Sequence, residues 1–168
     1  MRLKLKSVYL ICFITTLLIN MRVLAGECPS SDLPQNALTN YLEAMQERRF
    51  IDAFKFVSNS MTDGRSNMDW AELQDMFYTG GGVIIFGIDV RHAMATDSDI
   101  DCVSAAIVPN VLKSRDNFNN QGITEFELYT VVRIDGQWLV DSQETLFDQP
   151  DVDKWFPGEI IPEFLDKK

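Results

Sequence analysis

The chain predicts an α+β domain: three N-terminal helices packed on a curved, four-stranded antiparallel sheet, cone-shaped, with a C-terminal tail docked against it. Three observations carry this expectation. Apolar residues recur at helical spacing between Leu38 and Phe77, the period changes to two from Val83 onward, and the last two alternating runs are joined at Ile134-Asp135-Gly136-Gln137-Trp138. Consecutive strands with connections too short for a crossover helix run antiparallel, and helices gathered ahead of such a sheet cover one face of it.

Residues 1–25 read as a signal peptide. Arg2, Lys4 and Lys6 form a basic start, Val8 to Ile19 is an apolar run, and Val23-Leu24-Ala25 offers compact residues for cleavage before Gly26. The run is shorter than the roughly 20 residues an α-helix needs to cross a bilayer, although Arg22 behind it is untypical of a cleaved leader. Cys28 is separated from Leu24-Ala25-Gly26 by Glu27, which argues against a lipoprotein. The expected organisation is a leader over 1–25, a cone-shaped domain over 26–148 and a docked extension over 149–168, placed in the periplasm or secreted and with no membrane attachment after cleavage.

Loss of the leader removes Arg2, Lys4, Lys6 and Arg22 and no acid, so the formal charge moves from −10 to −14. Such a surface repels nucleic acid and anionic lipid, whose binding depends on cations that neutralise phosphate. A basic protein or a small apolar molecule is the expected partner. Cys12 leaves with the leader, and Cys28 and Cys102 are expected to form one disulfide in an oxidising compartment, stabilising the fold by about 4 kcal/mol in the chain-entropy model.

In the helical part, Asp32 is placed to cap and Pro34 to open a first helix whose buried stripe is Leu38, Tyr41, Leu42 and Met45. Phe50, Ala53, Phe54 and Val57 repeat the spacing after a polar bend at Gln46-Glu47-Arg48-Arg49, and Asn59 to Asn67 reads as a loop. Asp69 is expected to cap a third helix that turns Trp70, Leu73, Met76 and Phe77 inward and stops at Gly80-Gly81-Gly82. That glycine run follows a helix and precedes a strand, the reverse of the order a phosphate cradle needs, so it is a connector.

In the first strand Ile84, Phe86, Ile88, Val90 and His92 share one face. The second strand is expected over Ile100 to Val111, with Pro109 marking a bulge or an edge. In the third, Thr124, Phe126, Leu128, Thr130, Val132 and Ile134 form the apolar register, which leaves Glu125 and Glu127 on a solvated face. The fourth begins at Gln137. In the tail, Pro150, Pro157 and Pro162 separate short pieces, while Trp155, Phe156, Ile160, Ile161, Phe164 and Leu165 supply enough apolar surface to require docking over the cone's mouth, on the sheet, or against a partner.

Tyr41-Leu42-Glu43-Ala44-Met45, then Arg49-Phe50-Ile51-Asp52-Ala53-Phe54, a Trp-led helix, long strands and a closing Asp135-Gly136-Gln137-Trp138-Leu139-Val140 resemble the nuclear transport factor two-like superfamily, of cystatin-like cone shape. The resemblance covers roughly residues 35–146. It implies a curved sheet wrapped over helices with an interior that in different members is an enzyme site, a ligand pocket or packed core. It also implies that a homodimer is possible through the outer sheet face, where Val103, Ile107 and Val131 are expected.

No assembled catalytic motif is present. His92, the single histidine, is the candidate acid or base if it enters the cone, and Trp70, Tyr78, Phe86, Tyr129 and Trp138 are the candidate ligand-binding residues. One histidine and a disulfide leave too few ligands for zinc or copper, so no metal or cofactor is called for. Asp97-Ser98-Asp99-Ile100-Asp101 opens like a calcium loop but continues with Cys102 where glycine is required. The resulting expectation is an exported, non-catalytic binding or accessory protein, either an inhibitor- or immunity-type partner of a basic protein or a small-ligand binder. The alternative is an isomerase- or dehydratase-type enzyme using His92. Thiol titration of the exported, denatured and unreduced chain should find no reactive sulfhydryl, whereas two would remove the disulfide.

Overall fold

The computed structural model describes residues 33–95 and 104–162. The leader, Asp32, Cys28 and Cys102, the Asp97–Asp101 run, Val103, Phe164 and Leu165 lie outside these residues.

Helix α1 spans Pro34–Gln46, opened by Pro34 in its first turn and without a side-chain cap at Leu33. Its buried stripe contains Leu38, Tyr41, Leu42 and Met45, as the spacing predicts. The polar bend follows, with Arg48 in the left-handed region at φ 58°. The second predicted stripe is broken into a single turn, α2 (Phe50–Ala53), and a 3-10 turn at Phe54–Phe56. Val57 then leaves the helical path and bridges to Val140, while the Ser58 amide donates to the Val140 carbonyl at 2.9 Å. The predicted loop contains one more helical turn, α3 (Asn59–Thr62), capped by Ser58.

Helix α4 (Asn67–Gly81) is capped by Ser66 and not by Asp69. The Asp69 amide donates to Ser66 Oγ at 3.3 Å, and that hydroxyl donates to Asp69 Oδ2 at 2.7 Å, so the two residues satisfy each other. Trp70 and Ala71 are buried, but Met76 and Phe77 are 58% and 56% exposed, against the inward placement expected for them. The cause is position: α4 rests mainly on α2 and the 3-10 turn, so its C-terminal half has no sheet beneath that face.

The sheet contains β1 (Ile84–Val90), β2 (Met94–Ala95), β3 (Ala105–Arg115), β4 (Ile123–Ile134) and β5 (Gln137–Leu146), all paired antiparallel. The long strands are ordered β1-β3-β4-β5, and the two-residue β2 adds to β3. Strand β3 runs further than expected, to Arg115, and carries Pro109 in its interior. Proline is tolerated there because its carbonyl, accepting from the Arg91 amide at 2.8 Å, points to the β1 side just where β1 has ended at Val90. The N–H it lacks would point the same way, toward Arg91, so the bond lost falls past the end of the β1–β3 ladder.

Two bulges set the faces. In β1, Ile85 pairs with Ser114 and Gly87 with Lys113, leaving Phe86 as the extra residue. Ile85, Ile88 and Val90 therefore pack on the helix-side core, whereas Ile84 and Phe86 are exposed, so the predicted register holds only beyond the bulge. In β5 the extra residue is Asp141, which accepts from Ser58 Oγ at 2.5 Å and ties the α2–α3 segment to the sheet.

Both sheet faces are covered. Val108, Tyr129, Val131, Trp138 and Val140 face the helices. On the opposite face Val111, Phe126, Leu128 and Leu146 pack under Val152 and Phe156 of the tail, whose helix α5 (Gln149–Trp155) is capped by Asp148. Of the three places open to the tail, the structure shows the sheet. This overturns the register expected for β4: Phe126 and Leu128 lie under the tail, and Glu127, 4% exposed, faces the helices. Val131, expected on a pairing surface, is fully buried in the helix-side core, and Ile107 packs at the tail-side core. Phe156→Ala should cost about 3–5 kcal/mol in urea unfolding and expose residues 149–162 to proteolysis. An unchanged midpoint would show that the tail is not docked through Phe126 and Phe156.

Candidate functional site

Strand periodicity places Glu125, Glu127, Tyr129 and Val131 on one face of β4, and the burial of Tyr129 and Val131 among helix residues identifies it as the interior. Glu127 is held from three directions. Asn110 Nδ2 on β3 donates to Oε2 at 2.8 Å, Tyr129 Oη donates to the same oxygen at 3.1 Å, and Gln143 Nε2 on β5 donates to Oε1 at 3.2 Å. Gln143 is exposed and also donates to Thr145 Oγ1 at 2.8 Å, so the carboxyl lies directly beneath a solvent-facing rim.

Helices supply the opposite wall. The Tyr41 ring of α1 meets the Tyr129 ring edge-on with centroids 6.5 Å apart, and Tyr78 of α4 meets Phe50 edge-on at 5.1 Å. Asn110 is fully buried, and its Oδ1 has no hydrogen-bond partner. Glu125, half-buried next along the strand, continues the acidic lining toward the hairpin.

Burial pushes the Glu127 carboxyl up to about 7, and the charge of Glu125 adds to the rise; hydrogen bonds from Asn110, Tyr129 and Gln143 oppose it without cancelling it. Glu125 is also raised, mainly by burial, with a hydrogen bond to Ser114 opposing. Burial pushes Tyr78 up to about 12, helped by the Glu127 charge and opposed by Arg48. Tyr41 and Tyr129 are raised further, again mainly by burial with Glu127 contributing. The phenols are therefore fixed as neutral donors, and the Glu127 carboxyl exchanges its proton near neutral pH.

Of the predicted ligand-binding residues, the structure brings Tyr78 and Tyr129 to this site. Trp70 packs edge-on against Phe54 at 5.8 Å within the helices, and Trp138 is buried beneath the Arg133 guanidinium at 4.8 Å. Phe86 is turned out by the bulge and lies over Gly122. His92 does not enter the space between the helices and the sheet. It lies past the end of β1, exposed, on an open groove of about 640 Å³ that it shares with Gln35, Met94, Trp155 and Pro157. Glu127, Asn110, Gln143 and Tyr41 were not singled out as site residues. The available signal was Tyr129 and Val131 sharing the glutamates' register. Among the described residues no group of three or more His, Cys, Asp or Glu is arranged to hold a metal ion, and no helix is long and apolar enough to cross a membrane.

No protein-family model and no curated protein matches the sequence. Among solved structures the fold is similar to a ketosteroid isomerase-like protein from Erwinia carotovora atroseptica, with 14% identity, TM-score 0.49, and 67% of this chain covering 92% of that one. It is also similar to a domain of unknown function with a cystatin-like fold from Nostoc punctiforme, with 14% identity, TM-score 0.49, and 73% of this chain covering 79% of that one. A third likeness is to Bdellovibrio bacteriovorus Bd1075, at 5% identity and TM-score 0.46, where 66% of this chain spans only 39% of the other's length. This company identifies no family. At these scores it adds nothing to the chemistry of the site.

A carboxyl raised from 4.5 to about 7 by folding makes the folded state the better proton binder, so its contribution to stability is full below about pH 4.5 and is lost as the pH rises through 7. A shift of that size corresponds to about 3 kcal/mol. The chain should therefore be more stable to urea at pH 5 than at pH 8 by up to that amount, and Glu127→Gln should remove this part of the slope. An identical slope in the variant would place the responsible group elsewhere.

Proposed function

We propose that this chain is an exported small-ligand binding protein whose cone holds its ligand at the Glu127 carboxyl. The observation that supports the reading most is a buried carboxyl, held by three donors, beside a fully buried Asn110 whose Oδ1 is unused. Buried polar groups without partners are costly, and a fold that kept this cluster only for packing would gain by replacing it with apolar side chains. A ligand that supplies the missing partner offsets that cost. The inhibitor- or immunity-type reading rests on net charge and the expected compartment and ranks behind it.

A catalytic form of the same reading is supported by the carboxyl's position near neutrality, where a group serves as either proton donor or acceptor. It replaces His92 by Glu127 as the candidate base of an isomerase or dehydratase, with the neutral phenols of Tyr41 and Tyr78 as hydrogen-bond donors. His92, outside the cone, has no part in it.

Octan-1-ol is a suitable probe, because its chain is apolar and its head both donates and accepts. Titrating it should shift the side-chain amide NMR signals of Asn110 and Gln143. If octyl compounds of every head group leave both signals in place, the site binds no small ligand. Octan-2-one in D2O separates catalyst from binder: Glu127-dependent exchange of its α-hydrogens supports proton transfer, and no exchange leaves a binding protein.

A further inference from the structure

Resting on the ligand-binding reading of Glu127, the inference concerns the charge of the ligand. Among the described residues neither Glu125 nor Glu127 has an ion-pair partner; the ion pairs present join Arg49, Lys55, Arg65 and Arg91 to other acids. The cation with the nearest electrostatic influence is Arg48, which acts on Tyr78, and its guanidinium is already held by the Val83 carbonyl at 3.1 Å and by Thr79 Oγ1 at 3.4 Å. A buried carboxylate without a cation is a costly arrangement, and an incoming positive charge relieves it.

The hydrogen-bond balance points the same way. Each protein donor on Glu127 is already spent on it, and a carboxylate facing Asn110 selects the amide orientation in which Nδ2 donates and Oδ1 is left as an acceptor. What the cluster offers an occupant is therefore acceptors: the remaining lone pairs of Glu127, the half-buried Glu125 and the orphaned Asn110 oxygen. Around them stand the rings of Tyr41, Tyr78 and Tyr129, whose negative faces attract cations. An acceptor-rich cluster with aromatic neighbours and, among the described residues, no resident cation is complementary to an ammonium group, which carries N–H donors and a positive charge and accepts nothing.

We propose that the cone binds an organic amine in its protonated form, with the ammonium group seated on Glu127 between the tyrosine rings and its apolar part toward the mouth. The amine keeps Glu127 ionised, so binding requires the carboxyl to lose its proton. The charged and titratable groups that face it are Glu125 on its own strand, with Asp116 acting on Glu125, Tyr129 on β4, Tyr41 on α1, and Tyr78 with Arg48 behind it on the α4 side. The phenols stay neutral throughout the range concerned.

The test compares octylammonium, octan-1-ol and octanoate, which share one chain and differ in the head. An alkylammonium, like a lysine side chain with a pKa of about 10.4, stays protonated at every pH used. At pH 8.5 octylammonium should bind the full chain at least fivefold tighter than octan-1-ol by titration calorimetry. Its affinity should fall about tenfold per pH unit below the Glu127 midpoint. Glu127→Gln should bring it to the level of the alcohol, and Tyr78→Leu should weaken the amine more than the alcohol. An alcohol within fivefold of the amine, tighter binding of octanoate, or an amine affinity unchanged in Glu127→Gln would each overturn the proposal. If the alcohol or octanoate binds and shifts Asn110 and Gln143 without preference for the amine, the ligand site stands and only its specificity is refuted.

Discussion

The arrangement of this protein depends on one carboxyl group held inside it. Glu127 occupies a central strand on the face that the helices cover, with no cation among the described residues to balance it and three neutral donors in its place. Donors arrive from both neighbouring strands, Asn110 from β3 and Gln143 from β5, and from Tyr129 two residues along the same strand. Their convergence needs the β3–β4–β5 register to be correct to the residue, because a slip by one would turn every one of these side chains to the opposite face. Strand pairing and site geometry are thus one constraint.

That constraint is met by features lying outside the site. The tail-side core of Phe126, Leu128 and Leu146 under Val152 and Phe156 holds the alternate residues of β4 away from the helices, which commits Glu127 and Tyr129 to the interior. The Asp141 bulge restores the alternation of β5 so that Gln143 and Thr145 reach the same face as Glu127, and Ser58 fixes the bulge from the helical side. Helix α4 lies on α2 and not flat on the sheet, so Tyr78 approaches the carboxyl while Met76 and Phe77 remain exposed.

Much of the fold was legible because it is local. The stripe of α1, the polar bend before Phe50 and the hairpin at Asp135-Gly136, both residues with positive φ, are each encoded within a few residues. The bulges at Phe86 and Asp141 left no mark in the alternation, and Ser66 outcompeted Asp69 as a cap because the helix begins one turn earlier than the apolar pattern. The site was less legible for a related reason. A strand covered on both faces carries apolar residues in both registers, so Phe126 and Leu128 looked like the core and the glutamates like the surface. The sequence marks Tyr129 as a ligand residue, yet its alternation places the partner two positions away on a solvated face. His92 followed the strand's alternation on paper, but the strand ends at Val90 before the alternation reaches it.

The account is tested most directly by the ionisation of Glu127 itself, followed through its side-chain carboxyl carbon by NMR in the intact protein. A titration midpoint near 7 is the predicted result. A midpoint near 4.5 in the unmodified chain would mean that the carboxyl is solvated, and the interior site described for it would not exist.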